Sequence, residues 1–491
     1  MKAKNKIITL ENILCFFIIL CPILDIISFT FRNYFKTEIS VTTFLRPIIP
    51  IIVAIFIFFQ VNKKEKKTLI LISILYIVYA IIHLCITKKF IKDSSYGTVS
   101  HEMQYIFNFT FLIIDLIIYL YVFIVKKSDN DNQMEKLKKS ITIMVDIYMV
   151  SILLSIITKT SSTTYITGTG YKGWIESGNS LSAILVISLF IIFSMIKTSN
   201  KKWKIISILT IAITGVYLTT IIGTRTGLIG FFIVVATYIL SEVILSKNKK
   251  IIIIGGIVFI ILLSIILIKG SNTIQRRKQM EESKYTIIDE ATGQVGNMTG
   301  DMLKLKNEIL NGTLKENYLS EAQKQSVLEL FQYTKQHNIA GNDTRTQQLI
   351  YNMYLTKNQK SILGILFGNG YEANLSEMVM ENELASLVLN FGIIGFTIYI
   401  VPFIAILLIS IIEGIKNIKK ISSNYIMYQC GAGLVLVLSW LSGYVFFATS
   451  NMVIISGIYM LLLNETIKLK HKNEKIIKNE NTKSSKKLIN I

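Results

Sequence analysis

Apolar runs about as long as a bilayer is thick recur through this chain, each bounded by charge, and that pattern leaves few folds open. A helix rising about 1.5 Å per residue needs roughly twenty residues to cross the hydrocarbon core. Twelve segments meet that length, at about 8–31, 43–61, 68–87, 104–125, 141–158, 180–197, 205–222, 227–246, 251–269, 385–413, 424–446 and 449–467. In lipid every backbone N–H and C=O must be paired within protein, so long unalternating apolar runs become helices. The expected class is therefore all-α: a polytopic membrane protein of about twelve transmembrane helices with one large, mainly helical extracytoplasmic loop. Composition points the same way, since 52% hydrophobic residues and a mean hydropathy of +0.52 exceed what a water-soluble globule can hide.

The formal net charge of +21 would suit nucleic acid if it formed an accessible patch, but Lys and Arg sit in short clusters between the apolar runs. Those clusters are topology signals, and nucleic acid is not an expected partner. One alternate set of connections holds Lys63-Lys64-Glu65-Lys66-Lys67, Lys126-Lys127, Lys201-Lys202, residues 247–250, residues 416–420 and the tail from Lys468. The other set is poor in basic residues or, in its one long member, balanced by acids. By the positive-inside rule the first set is cytoplasmic, which puts both termini inside and the protein in the cytoplasmic membrane as a multi-pass chain. The division expected is 1–269 for the first nine helices, 270–384 for the large outer loop, 385–467 for the last three helices and 468–491 for a basic cytoplasmic tail. The first run carries Pro22 and Asp25 and no small-residue cleavage site, so it reads as a retained helix rather than a signal peptide. Cys15, Cys21, Cys85 and Cys430 have no metal-like or disulfide spacing.

Four outward segments can carry chemistry. Gly223-Thr224-Arg225-Thr226-Gly227 joins two apolar runs with almost no linker, which places an arginine fork at headgroup depth, where it suits bidentate phosphate contact or simple snorkelling. Residues 168–179 combine glycines, Lys172, Tyr171 and Trp174, a set able to bind a sugar diphosphate or to anchor the interface. Glu381 and Glu383, just before the run at 385–413, can serve as a general base toward a sugar hydroxyl or lie idle in a solvated loop. Arg276-Arg277 and Arg345 in the large loop can touch headgroups or substrate. Ser320 can cap a helix with Val327, Leu328, Leu330 and Phe331 on one face, a second helix is expected at 344–355, and a Gly-rich turn at 366–371. Within the membrane Asp25, Asp115 and Asp146 need partners, and Arg46 lies at a depth to pair with Asp25.

The order of three of these segments resembles the bacterial O-antigen ligase family, which includes polysaccharide repeat-unit polymerases and teichuronic-acid-type membrane proteins. Ile221-Ile222-Gly223-Thr224-Arg225-Thr226-Gly227-Leu228 resembles that family's Arg motif between adjacent helices. Gly170-Tyr171-Lys172-Gly173-Trp174, followed by Gly178-Asn179-Ser180, is similar to its basic Gly-rich loop. The stretch from Leu366 to Tyr371, then Glu381-Asn382-Glu383 and Asn390-Phe391-Gly392, is similar to the end of the large loop and the next helix. Where many members have His-Asn, this chain has Glu381-Asn382. The resemblance implies a glycosyltransferase acting on the outer face. Its donor would be an undecaprenyl-diphosphate-linked oligosaccharide and its second substrate a glycan acceptor, with no cofactor or metal. It further implies Arg225, Lys172 and Arg345 at the diphosphate and Glu381 or Glu383 as base. The bilayer is a necessary partner, and other polysaccharide-assembly membrane proteins are further candidates. A ligase that moves finished glycan to an envelope acceptor, a flippase for lipid-linked oligosaccharide, and a scaffold are the competing readings. A transporter would line its mid-membrane cavity with ionisable groups, whereas the unusual motifs here gather at one interface.

Overall fold

The computed structural model describes residues 9–35, 42–90, 99–126, 130–165, 168–245, 255–256, 270–284, 306–314, 321–337, 349–350, 352–353, 356–357, 361–371 and 382–489. The described chain is helical apart from turns and one two-stranded ribbon. The first helices are α1 (Leu10–Asn33), α2 (Thr42–Gln60), α3 (Lys63–Phe90), α4 (Val99–Leu120) and α5 (Asn130–Ile157). A hairpin of β1 (Ser162–Thr163) and β2 (Tyr171–Gly173) leads to α6 (Gly178–Thr198), α7 (Lys201–Val216) and α8 (Arg225–Leu245). Then come α9 (Asn272–Lys284), α10 (Glu321–Gln336), α11 (Ile362–Phe367), α12 (Glu383–Tyr399), α13 (Val401–Lys416), α14 (Ser423–Leu441) and α15 (Thr449–Ile489). Single π-helical turns, Tyr121–Val125 and Tyr217–Ile221, extend α4 and α7.

Nine of the described helices are long and apolar enough to cross a membrane. The pair α12–α13 adds a bent crossing, and Leu45–Gln60 is a shorter apolar helix. The run at 251–269 lies outside the described residues except for Gly255 and Gly256, which are helical. Two expectations need correction. The single helix expected at 385–413 is two helices meeting at 45°, because Pro402 has no N–H to give and its ring displaces the preceding turn. The run at 424–446 ends early, at Leu441, because Gly443 and Tyr444 adopt left-handed backbone with φ of 66° and 59°. The connection between α14 and α15 is thus a turn at 442–448 rather than a two-residue link. Of the large loop, α9, α10, α11 and the short stretches around them are described; Ser320 and most of 344–355 are outside the described residues.

The hub is α6, of whose membrane window 89% is buried against only 17% for α3. It is apolar on every side, as a helix surrounded by protein must be, and packs against α5, α7, α8, α14 and α15. Small residues set those distances. A Cβ on Gly230 of α8 would stand 2.7 Å from Val186 Cγ2, and one on Gly431 of α14 would stand 3.0 Å from the Phe190 ring. Lipid tails are as apolar as Leu, so close backbone approach of this kind supplies much of the packing energy between helices in a bilayer. The lipid-facing surface of α3 carries Leu71, Ile74, Leu75 and Ile81, all exposed.

Helix starts are marked by local chemistry. Ser177, Asn200 and Ser422 accept the amides of Ser180, Trp203 and Tyr425 and so cap α6, α7 and α14. Asn62 and Glu65 exchange bonds reciprocally at the start of α3, at 2.9 and 3.3 Å. Long-range polar contacts then sort the connections into two ends. At one end lie Gln60 with Lys126 (3.2 Å), Asn12 with Lys136 (3.2 Å) and Glu465 with Ser422 (3.2 Å). At the other lie all the described segments that carry candidate site residues.

Candidate functional site

Two glycine-bearing connections meet backbone to backbone. Gly170 and Gly223 both have positive φ, 74° and 79°, and a Cβ on Gly170 would fall 2.3 Å from the Ile222 carbonyl oxygen. Only glycine allows that approach. Thr164 Oγ1 donates to Ile222 O at 2.7 Å, and Tyr217 Oη donates to Tyr171 O at 3.0 Å, so the hairpin loop is fastened onto the turn that begins α8. The start of the large loop joins them: Asn272 Nδ2 donates to Ile221 O (2.8 Å) and Ser271 Oγ to Thr219 O (2.8 Å). The Arg276 guanidinium lies over the Tyr165 ring, 3.2 Å from its centroid.

Arg225 is the first residue of α8 and is exposed at this junction. Its neighbour Thr226 donates from Oγ1 to Ser442 Oγ at 2.9 Å, and Asn179 Nδ2 donates to Ser442 O at 3.3 Å. Three residues further along the same turn, the amides of Val445, Phe446 and Phe447 donate to the Glu383 carboxylate at 2.9, 2.9 and 2.6 Å. The first turns of α6, α8, α12 and α15 therefore share one end of the bundle. A helix N-terminus carries unpaired N–H groups and about half a positive charge, so this is an end suited to anions.

The expected site residues fall differently in this frame. Glu383 is 4% exposed and spends both carboxylate oxygens on three backbone amides, so it fastens the start of α12 to the α14–α15 turn. Lys172 donates from Nζ to the Glu176 carbonyl at 2.6 Å, closing its own loop rather than reaching toward Arg225. Half-burial holds its ammonium below the ordinary lysine range, an effect opposed by the nearby Glu176 carboxylate. Glu381 and Arg345 lie outside the described residues. Asp25 and Arg46 form an ion pair, each largely buried. Tyr148 Oη also donates to Asp25, Ser450 Oγ donates to it at 2.9 Å, and Arg46 Nη1 donates to Thr449 Oγ1 at 2.6 Å. Of the other membrane acids, Asp146 accepts from Thr210 Oγ1 at 2.6 Å, and Asp115 is buried.

Sequence reasoning missed several polar groups at this end. Arg32 Nη1 meets Glu176 Oε2 at 2.9 Å, and Ser28 Oγ donates to Glu176 Oε1 at 3.1 Å. Asp25, Ser28 and Arg32 follow one another at helical spacing, so a face count on α1 would have shown them together. The sequence reading also leaves out His83 and Glu102, although an ionisable residue within an apolar run, as His83 is in 68–87, is itself a signal.

Polar, glycine-jointed connections, with an arginine at a helix start among them, thus gather at one end of a helical membrane bundle. The model of the O-antigen ligase like membrane protein family matches residues 7–468, nearly the whole chain, and the protein belongs to that family. No curated protein sequence matches the chain.

Proposed function

We propose that the protein is a glycosyltransferase acting on the outer face of the cytoplasmic membrane, where it joins undecaprenyl-diphosphate-linked oligosaccharide repeat units into a cell-surface polysaccharide. The observation that carries this reading is Arg225, exposed at the start of α8 on the end of the bundle where the first turns of α6, α12 and α15 also lie. Charge develops on the diphosphate as its bond to the anomeric carbon breaks, and a fixed guanidinium beside aligned helix ends stabilises that charge in place. The acceptor hydroxyl forms the new glycosidic bond and gives up its proton to a carboxylate. We assign that base to Glu381, because Glu383, two residues on, is committed to three amides. Lys172 shapes the glycine loop that backs Arg225, and Arg345 is a second candidate for the diphosphate. The orientation, with this end outside and both termini in the cytoplasm, rests on the distribution of Lys and Arg.

The test is to size the surface glycan of cells carrying Arg225→Ala and Arg225→Lys, with membrane insertion verified. The expected outcome for Ala is loss of long chains and accumulation of single lipid-linked units, with Lys recovering only part because it lacks the planar fork. Accumulation of full-length lipid-linked glycan would instead identify a ligase. Normal glycan in Arg225→Ala would refute the enzyme reading.

A further inference from the structure

His83 of α3 and Glu102 of α4 have no exposed surface and face each other beneath the glycine turn that follows α11. His83 Nδ1 lies 2.6 Å from the Phe367 carbonyl oxygen, and Nε2 lies 3.0 Å from Glu102 Oε1 and 3.4 Å from Thr87 Oγ1. A carbonyl only accepts, so Nδ1 carries a proton and donates it. The other nitrogen and the carboxyl then share one proton, as imidazolium with carboxylate or as imidazole with carboxylic acid. An apolar pair would hold α3 against α4 at least as well, since burying ionisable groups costs more than their attraction returns unless every bond is made. What an apolar pair cannot do is hold the Phe367 carbonyl.

The turn so held does a specific job. Gly392 breaks α12 with φ 73° and ψ 178°, and the carbonyls of Leu389 and Asn390 accept the amides of Asn369 (3.2 Å) and Gly370 (2.9 Å). Gly370 lies directly on the dyad: a Cβ there would stand 2.4 Å from Thr87 and 3.0 Å from the Glu102 carboxyl carbon. Tyr371 stacks on Tyr105 at 4.5 Å, and Ser386 Oγ reaches its hydroxyl at 3.5 Å. Ser386 is one helical turn from Glu383.

We infer that His83 and Glu102 are positioning residues for the transfer reaction, holding the 367–371 turn so that the start of α12, fastened through Glu383 to the α14–α15 turn, keeps its place beside the Arg225 end. This rests on the transferase reading above. The measurement is amide hydrogen exchange on the full chain in lipid nanodiscs, paired with glycan sizing in cells. His83→Leu and Glu102→Leu are expected to speed exchange at Asn369 and Gly370 about tenfold, the loss of one bond to an ionisable partner, and to shorten the glycan. Glu102→Gln is expected to restore both, since its amide can donate to Nε2; His83→Gln, able to keep only one of the two bonds, should fall between and serves if the Leu variants do not insert. Unchanged exchange in the His83 variants, or Glu102→Gln as damaging as Glu102→Leu, would overturn the inference. Arg225→Ala separates the two failures. Normal glycan there removes the transferase reading and this role with it, whereas normal glycan in His83→Leu beside short glycan in Arg225→Ala removes the positioning role alone.

Discussion

Replacing Glu383 separates two jobs that a carboxylate at this place can do. Its Oε2 accepts Val445 and Phe446 amides at 2.9 Å each, and Oε1 accepts Phe447 at 2.6 Å. Glutamine can keep the two bonds at one oxygen but must turn an NH2 toward the third amide, so one bond to a charged acceptor is lost. At about 1.5–3 kcal/mol per bond of this kind, Glu383→Gln should cost about 2 kcal/mol and Glu383→Leu, which strands all three amides, about 5 kcal/mol. The assay is unfolding of the purified protein in mixed micelles by graded SDS, with surface glycan measured in parallel. Stability should fall in the order wild type, Gln, Leu, and product should fall only as far as folded protein falls. An unfolding midpoint for Glu383→Gln equal to wild type, together with loss of polymer, would refute the fastening role and make Glu383 the base.

Other perturbations have equally definite outcomes. Asp25→Asn or Arg46→Met alone should each cost about 3–5 kcal/mol by stranding a buried charge, while the double substitution should recover much of that loss, as read from the same SDS titrations. Gly392→Ala places a Cβ 2.4 Å from Gly368 N and the Leu366 carbonyl at a φ of 73°, so the 367–371 turn should undock, with more than about 2 kcal/mol lost and new protease sensitivity at the turn. Lys172 is held below its ordinary 10.5 by half-burial, so between the folded value and 10.5 the unfolded chain binds more protons. Its contribution to stability should therefore rise with pH across that window, and Lys172→Met should flatten that part of the pH profile of the unfolding midpoint.

The membrane helices were readable because each run must independently satisfy the length and pairing demands of a bilayer. The bend at Pro402 was hidden inside the long apolar run at 385–413, where hydropathy is blind to a missing N–H. Arg225 and Lys172 stand out by type and flanking glycines, and their shared end follows from counting crossings. The acceptor role of Glu383 does not, because nothing in a linear sequence marks which amides some sixty residues away will be left unpaired by left-handed Gly443 and Tyr444. His83 and Glu102 were obscured for a different reason: each sits near the end of an apolar run, where it passes for an interfacial residue until the turn at 367–371 folds back over it.

The last helix has a mechanical consequence. At 41 residues it measures about 60 Å, roughly twice the hydrocarbon thickness. Its first turn, Thr449 and Ser450, clasps the Asp25–Arg46 pair, and its far end is the lysine-rich stretch beyond Lys468. One unbroken rod therefore runs from the end of the bundle that holds Arg225 to well beyond the hydrocarbon on the other side, which carries the lysine-rich stretch clear of the membrane.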